Sequence, residues 1–161
     1  MPRRPRVLRR PGRITRRRAH SVAAEDRQAL NVSPYFFVED LVRAAEYYRD
    51  KLGFHFDRYW GEPPCFVMVR RDRVQFMLRS GIHGGRPQPN RRLDPDTWDA
   101  YIYVRDADGL HAEFRSLGAE IVRAPEDQPY GCRDFEVRDV DGYVLCFGHD
   151  LMADKPVTVR S

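Results

Sequence analysis

The sequence has 161 residues, of which 42% are hydrophobic and 12% aromatic, enough to bury one core or two small halves that share one. No apolar run approaches the ~18 residues needed to cross a bilayer, and no apolar signal segment follows the N-terminal charges, so neither membrane spanning nor export is expected. The formal net charge of +4 hides an asymmetry: residues 1–30 hold ten Arg against Glu25 and Asp26, whereas the remainder carries 18 basic and 22 acidic side chains.

The opening stretch "MPRRPRVLRRPGRITRRRAH" has nine Arg, three Pro and no acidic residue. Its like charges repel and little apolar surface offsets the entropy of ordering, so residues 1–30 are expected to form a disordered tail. The tail has no interleaved aromatics and no attached recognition fold, so nucleic-acid binding through phosphate contacts is not its expected role. Cys65, Cys132 and Cys146 form neither a C-x-x-C pair nor a dense framework, which predicts free thiols and a reducing, cytoplasmic setting.

The body begins with "VSPYFFV", an alternating strand, followed by Asp40 at a helix N-cap. An amphipathic helix of about three turns then runs to Gly53, where a left-handed C-cap is needed. Three strand-like runs follow at 54–60, 65–70 and 73–79, with Arg71 and Asp72 as a tight turn. Residues 80–96, rich in Gly, Pro and Arg, read as a linker. The plan then repeats: strand "WDAYIYV", Asp106 as N-cap, a helix ended by Gly118, and strands at 119–123, 133–138 and 143–148, with "DVDG" at 139–142 as the last turn. Val38, Asp40, Tyr48, Leu52 and Gly53 correspond to Val104, Asp106, Phe114, Leu117 and Gly118, one residue being lost inside the second helix. Residues 31–150 are therefore expected to form one α+β domain of two βαβββ units, 31–79 and 97–150, followed by a C-terminal tail at 151–161.

Two such units, with "VEDL" leading to "YYRDKLGF" in the first and "DVDGYVLCF" closing the second, resemble the vicinal oxygen chelate superfamily. Its members include glyoxalase I, extradiol dioxygenases, fosfomycin-resistance enzymes and bleomycin-resistance proteins. The resemblance implies the glyoxalase/bleomycin-resistance fold, in which two cup-shaped mixed sheets, from one chain or from two, close around a cavity. In metal-dependent members the ligands come from the first and fourth strands of each unit, as His or carboxylate donors converging on one open site. The corresponding positions here are Ser33, Asp99 and Cys146, and the fourth strand of unit one, "RVQFMLR", offers no His or carboxylate. His20, His55, His83, His111 and His149 all fall outside those positions. The resemblance thus points to a metal-free, bleomycin-resistance-like branch, with no metal, no cofactor and no catalytic residue.

Alternation places Ser33, Tyr35 and Phe37 on one face of the first strand, and Asp99, Tyr101 and Tyr103 on the matching face of its counterpart. Trp60 and Phe66 flank the first cup, Trp98 and Cys146 the second, and Arg133 lies on the strand leading toward the pocket. These ten residues (Tyr35, Phe37, Trp60, Phe66, Trp98, Asp99, Tyr101, Tyr103, Arg133 and Cys146) are the expected ligand-binding set. An aromatic groove with one acid suits a cationic or aromatic small molecule. The expected function is a non-catalytic protein that sequesters such a molecule, in the manner of an antibiotic-resistance protein, in a groove at a homodimer interface. The alternative is a lyase, isomerase or dioxygenase of the same superfamily with an atypical metal site at Asp99 and Cys146.

Overall fold

The structure, a computed structural model, describes residues 30–81 and 83–152. The expectations for residues 1–29 and 153–161 lie outside the described residues. Strand β1 (Tyr35–Val38) alternates as its sequence requires: Phe36 and Val38 are buried against the helix, while Tyr35 and Phe37 lie exposed on the opposite face. Helix α1 (Leu41–Leu52) starts where the Asp40 carboxylate accepts the Arg43 amide at 3.0 Å. It stops at Gly53, whose φ of 65° is a conformation that side chains with a Cβ resist. Its buried stripe of Leu41, Ala44, Ala45, Tyr48 and Leu52 packs on one face of β2 (Phe66–Arg71) and β3 (Val74–Ser80), through Val67, Val69, Phe76 and Leu78.

The second half repeats the design. Strand β4 (Ala100–Val104) leads to α2 (Ala107–Ser116), capped by Asp106 on the Gly109 amide. Strands β5 (Glu120–Asp127), β6 (Cys132–Arg138) and β7 (Val144–Asp150) complete the unit. The sheets run β1-β3-β2 and β4-β7-β6-β5; in each, the first strand pairs parallel with the last and the other pairs are antiparallel. This is the mixed α+β architecture expected from the repeat. Tyr48 and Phe114, matched in that repeat, are both fully buried.

The segment 54–60 departs from the expected strand. It touches β2 only through isolated bridges, His55 with Arg70 and Trp60 with Phe66, so the first sheet has three strands. Between those bridges lie five steps along one side and four along the other, so the segment carries one residue too many to remain in register. The β2–β3 turn is also one residue later than expected: Asp72 and Arg73 form it, with Asp72 at φ 51°, a region Asp tolerates better than most residues.

The halves share one core. The Phe36 ring stacks on Tyr143 at 4.3 Å, and the Tyr48 hydroxyl, carried on α1, donates to the Asp139 carboxylate in the β6–β7 turn at 3.1 Å. Arg71 at the β2–β3 turn forms a two-pronged pair with Glu113 of α2, both contacts at 2.8 Å. Among the described residues no helix is long and apolar enough to cross a membrane.

Candidate functional site

Each sheet has a face packed on its helix and an opposite face, the inside of the cup. In the second half, strand alternation sends Phe135 and Val137 of β6 toward α2 and places Asp134 and Glu136 inside the cup. Both carboxylates are buried, at 0% and 6% exposure, and both are fully engaged. Arg123 of β5 bridges them, reaching Asp134 at 2.6 Å and Glu136 at 3.2 Å. Glu136 also accepts from Arg91 at 2.5 Å and from the Trp98 indole at 3.0 Å. Asp134 accepts from the hydroxyls of Tyr130 and Tyr101, the latter at 3.3 Å. Burial alone would raise the Glu136 carboxyl, but the Trp98 and Arg91 donors and the Arg123 charge hold it below the ordinary glutamate range. Two carboxylates and two guanidiniums balance, so this cup carries a neutral, internally satisfied plug.

Cys146 lies beneath the plug, with Tyr101 and Glu136 as its cross-strand neighbours. It is fully buried, and burial together with the nearby Asp134 and Glu136 charges pushes its thiol well above the usual range, so it remains protonated. Tyr101 crosses over Gly148, where a Cβ would overlap its hydroxyl. Asp99 is occupied as well: one oxygen accepts the Asn90 amide and the other the Val144 amide, both at 2.8 Å. The carboxylate thereby ties the chain before β4 to the start of β7.

These geometries decide whether the expected metal positions fit an ion. Ser33 offers a hydroxyl that already accepts from Gln75, Asp99 has both oxygens on backbone amides, and Cys146 is a buried, protonated thiol. Among the described residues no three His, Cys, Asp or Glu side chains converge in a metal-binding group. The residues do not fit the donor set of a divalent ion.

The first-half cup is different. Its inner positions include Tyr35 and Phe37 on β1, Gln75, Met77 and Arg79 on β3, and Phe66, Met68 and Arg70 on β2, none of them fully buried. Tyr35 is 47% exposed and Phe37 38%. Their rings meet edge-on at 6.0 Å, and Tyr35 lies over Phe66 at 6.2 Å. Trp60 extends the surface beside Phe66 at 5.5 Å, and the Arg58 guanidinium sits 5.0 Å above the indole. The structure therefore gathers Tyr35, Phe37, Trp60 and Phe66 into one open aromatic face. It gathers Trp98, Tyr101 and Tyr103 into a second ladder, with centroid spacings of 5.4 and 5.1 Å, whose inner members serve the plug.

Arg133 is placed differently from its expectation. It follows the alternation of Phe135 and Val137 to the helix face, where it pairs with Asp108 at 2.7 Å and Asp127 at 2.8 Å. A groove of about 720 Å³ opens elsewhere, between the β2–β3 turn and the β4–α2 connection, and of the expected residues it includes Tyr103 alone. Asp134, Glu136, Arg123, Arg91, Tyr130 and Arg79 were not among the expected residues. The signal for the first two was present in "CRDFEVR", where carboxylates occupy every second position opposite Phe and Val. Arg91 gave no such signal, because its segment has no periodicity from which to infer a direction.

No curated protein matches the sequence. Among solved structures the fold is similar to lactoylglutathione lyase from Agrobacterium tumefaciens (TM-score 0.58, 18% identity, covering 80% of this chain and 100% of that one). It is similar to TioX from Micromonospora sp. ML1 (TM-score 0.57, 21% identity, covering 75% and 100%). It is also similar to the bleomycin-binding protein of Streptomyces verticillus in complex with copper(II)-bleomycin (TM-score 0.56, 25% identity, covering 74% and 95%). A family model for the Glyoxalase/Bleomycin resistance protein/Dioxygenase superfamily matches residues 29–147, which shows that the chain belongs to that superfamily.

Proposed function

We propose that the protein is a non-catalytic binding protein that holds a small molecule against the aromatic cup face of its first half, at the interface of a homodimer. The observation that carries this reading is the cluster of Tyr35, Phe37, Phe66 and Trp60, in which Tyr35 and Phe37 are exposed and the other two half-buried, aromatic surface of a kind soluble chains seldom leave uncovered. The second half supports it from the other direction. Its polar groups, which would be the natural seat of acid–base or nucleophilic chemistry, are paired with one another or kept protonated by burial. The bleomycin-binding protein that shares the fold is a complex with a drug and lends support to a binding role, as the lyase of the same fold lends support to the alternative.

The test combines sedimentation velocity with thermal unfolding against a panel of antibiotics and aromatic metabolites. A ligand that binds only the folded dimer raises Tm in proportion to the logarithm of its concentration over Kd. A dimer at micromolar concentration and a saturable rise in Tm are the expected results; a monomer that no member of the panel stabilises would overturn the proposal. Stoichiometric Zn, Ni, Mn or Fe in protein purified without chelators would favour the metal-dependent lyase, isomerase or dioxygenase reading instead.

A further inference from the structure

We infer that the ligand selected by the first-half cup is a planar organic anion, an aromatic carboxylate, gripped by Arg79; this rests on the binding reading above. Arg79 stands on the central strand of its sheet, with Phe37 of β1 and Phe66 of β2 as its cross-strand neighbours on either side. It is half-buried, yet among the described residues it makes neither an ion pair nor a side-chain hydrogen bond. Among the described residues the other inward arginines on the strands, and Arg91 from the connecting segment, are matched. Arg70 is satisfied by Gln75 at 2.8 Å and Asp57 at 3.7 Å. Arg91 and Arg123 are held by Glu136 and Asp134.

No carboxylate occupies an inner position of β1, β2 or β3, and Asp57, on the segment beside them, pairs with Arg70, so the charge of Arg79 has no counter-charge within reach among the described residues. The Arg58 guanidinium over Trp60 adds to that charge at the rim. A guanidinium is a planar fork that pairs with a carboxylate through two parallel hydrogen bonds, and more strongly where neighbouring rings thin the water around it. The rings of Tyr35, Phe37 and Phe66 supply π surface for the flat body of the same molecule. A cationic ligand would face Arg79 and Arg58 without a compensating acid, since Asp99 lies in the other half and spends both oxygens on backbone amides. The charge preference is thus opposite to the cationic one read from the sequence.

Isothermal titration of the full chain with three probes of one shape tests this: 2-naphthoate, 2-naphthylmethanol and 2-naphthylmethylammonium. The anion is expected to bind at least ten-fold more tightly than the cation, and to weaken as salt is raised. Arg79→Gln should lose at least ten-fold for 2-naphthoate while leaving 2-naphthylmethanol unchanged, and Arg79→Lys should recover part of the loss. Equal binding of all three probes, or an Arg79→Gln protein with undiminished affinity for the anion, would overturn the inference and leave the binding reading standing. Absence of heat from all three would count against both.

Discussion

At the scale of single residues, the second-half cup is held by charges that have no substitute for one another. Glu136 receives Arg91, Arg123 and Trp98 at once, so removing it strands the partly buried Arg91 guanidinium and leaves Arg123 to Asp134 alone. Glu136→Ala is expected to cost roughly 3 kcal/mol in urea unfolding, because breaking one member of a buried pair leaves its partners uncompensated. The Glu136 carboxyl is held below its ordinary value in the folded state, so its contribution is present above the unfolded glutamate range. That contribution should be lost as pH falls through the lower, folded value, and the gap in Tm between wild type and Glu136→Gln should shrink at acid pH. Gly148 is constrained from another direction. A Cβ there overlaps the Tyr101 hydroxyl, so Gly148→Ala should displace the ring and cost about 1–3 kcal/mol by overpacking. An unchanged Tm for that variant would show that the Tyr101 seat is softer than its contacts indicate.

At the scale of elements, the junction between α1 and the β6–β7 turn joins the two repeats through Tyr48 and Asp139. Asp139 accepts the Asp141 and Tyr143 amides on one oxygen and the Tyr48 hydroxyl on the other. Burial is the main reason its carboxyl rises to about 7, the backbone donors opposing it only in part. The folded state therefore holds this proton more tightly than the unfolded chain does. The associated stability is complete below the ordinary carboxylate range and is lost as pH rises toward 7. Asp139→Asn, which keeps an acceptor for the amides, should be close to neutral near pH 4 and stabilising by about 1–3 kcal/mol at pH 8, measured as a pH series of chemical unfolding. Both helices and their caps were legible in the sequence because Asp40, Gly53, Asp106 and Gly118 are local signals acting on their own neighbours. The segment 54–60 was not. Its alternating composition matches a strand, but one surplus residue between the His55 and Trp60 bridges is a property of the partner's length, which no local window contains.

At the scale of the whole molecule, a repeated sequence has produced two cups with different contents. Alternation along β1 and β4 placed Tyr35, Phe37, Tyr101 and Tyr103 on their inner faces, and that much could be read directly. Which cup is open could not be read, because closure of the second depends on Arg91 arriving from an irregular segment and Arg123 from β5 to cover carboxylates on β6. The same long-range pairing leaves Arg79 without an ion pair among the described residues, the feature on which the proposed preference for an anion rests. The sequence has two tryptophans, and the fold puts one beside each cup: Trp60 on the open aromatic face and Trp98 bonded to Glu136 in the plug. Their indole N–H signals in a ¹H–¹⁵N correlation spectrum, assigned with Trp60→Phe, report on the two faces independently in the native protein. On titration with 2-naphthoate the Trp60 signal should move and saturate while the Trp98 signal holds its position; movement confined to Trp98, or of neither, would contradict the assignment of the first-half cup as the binding face.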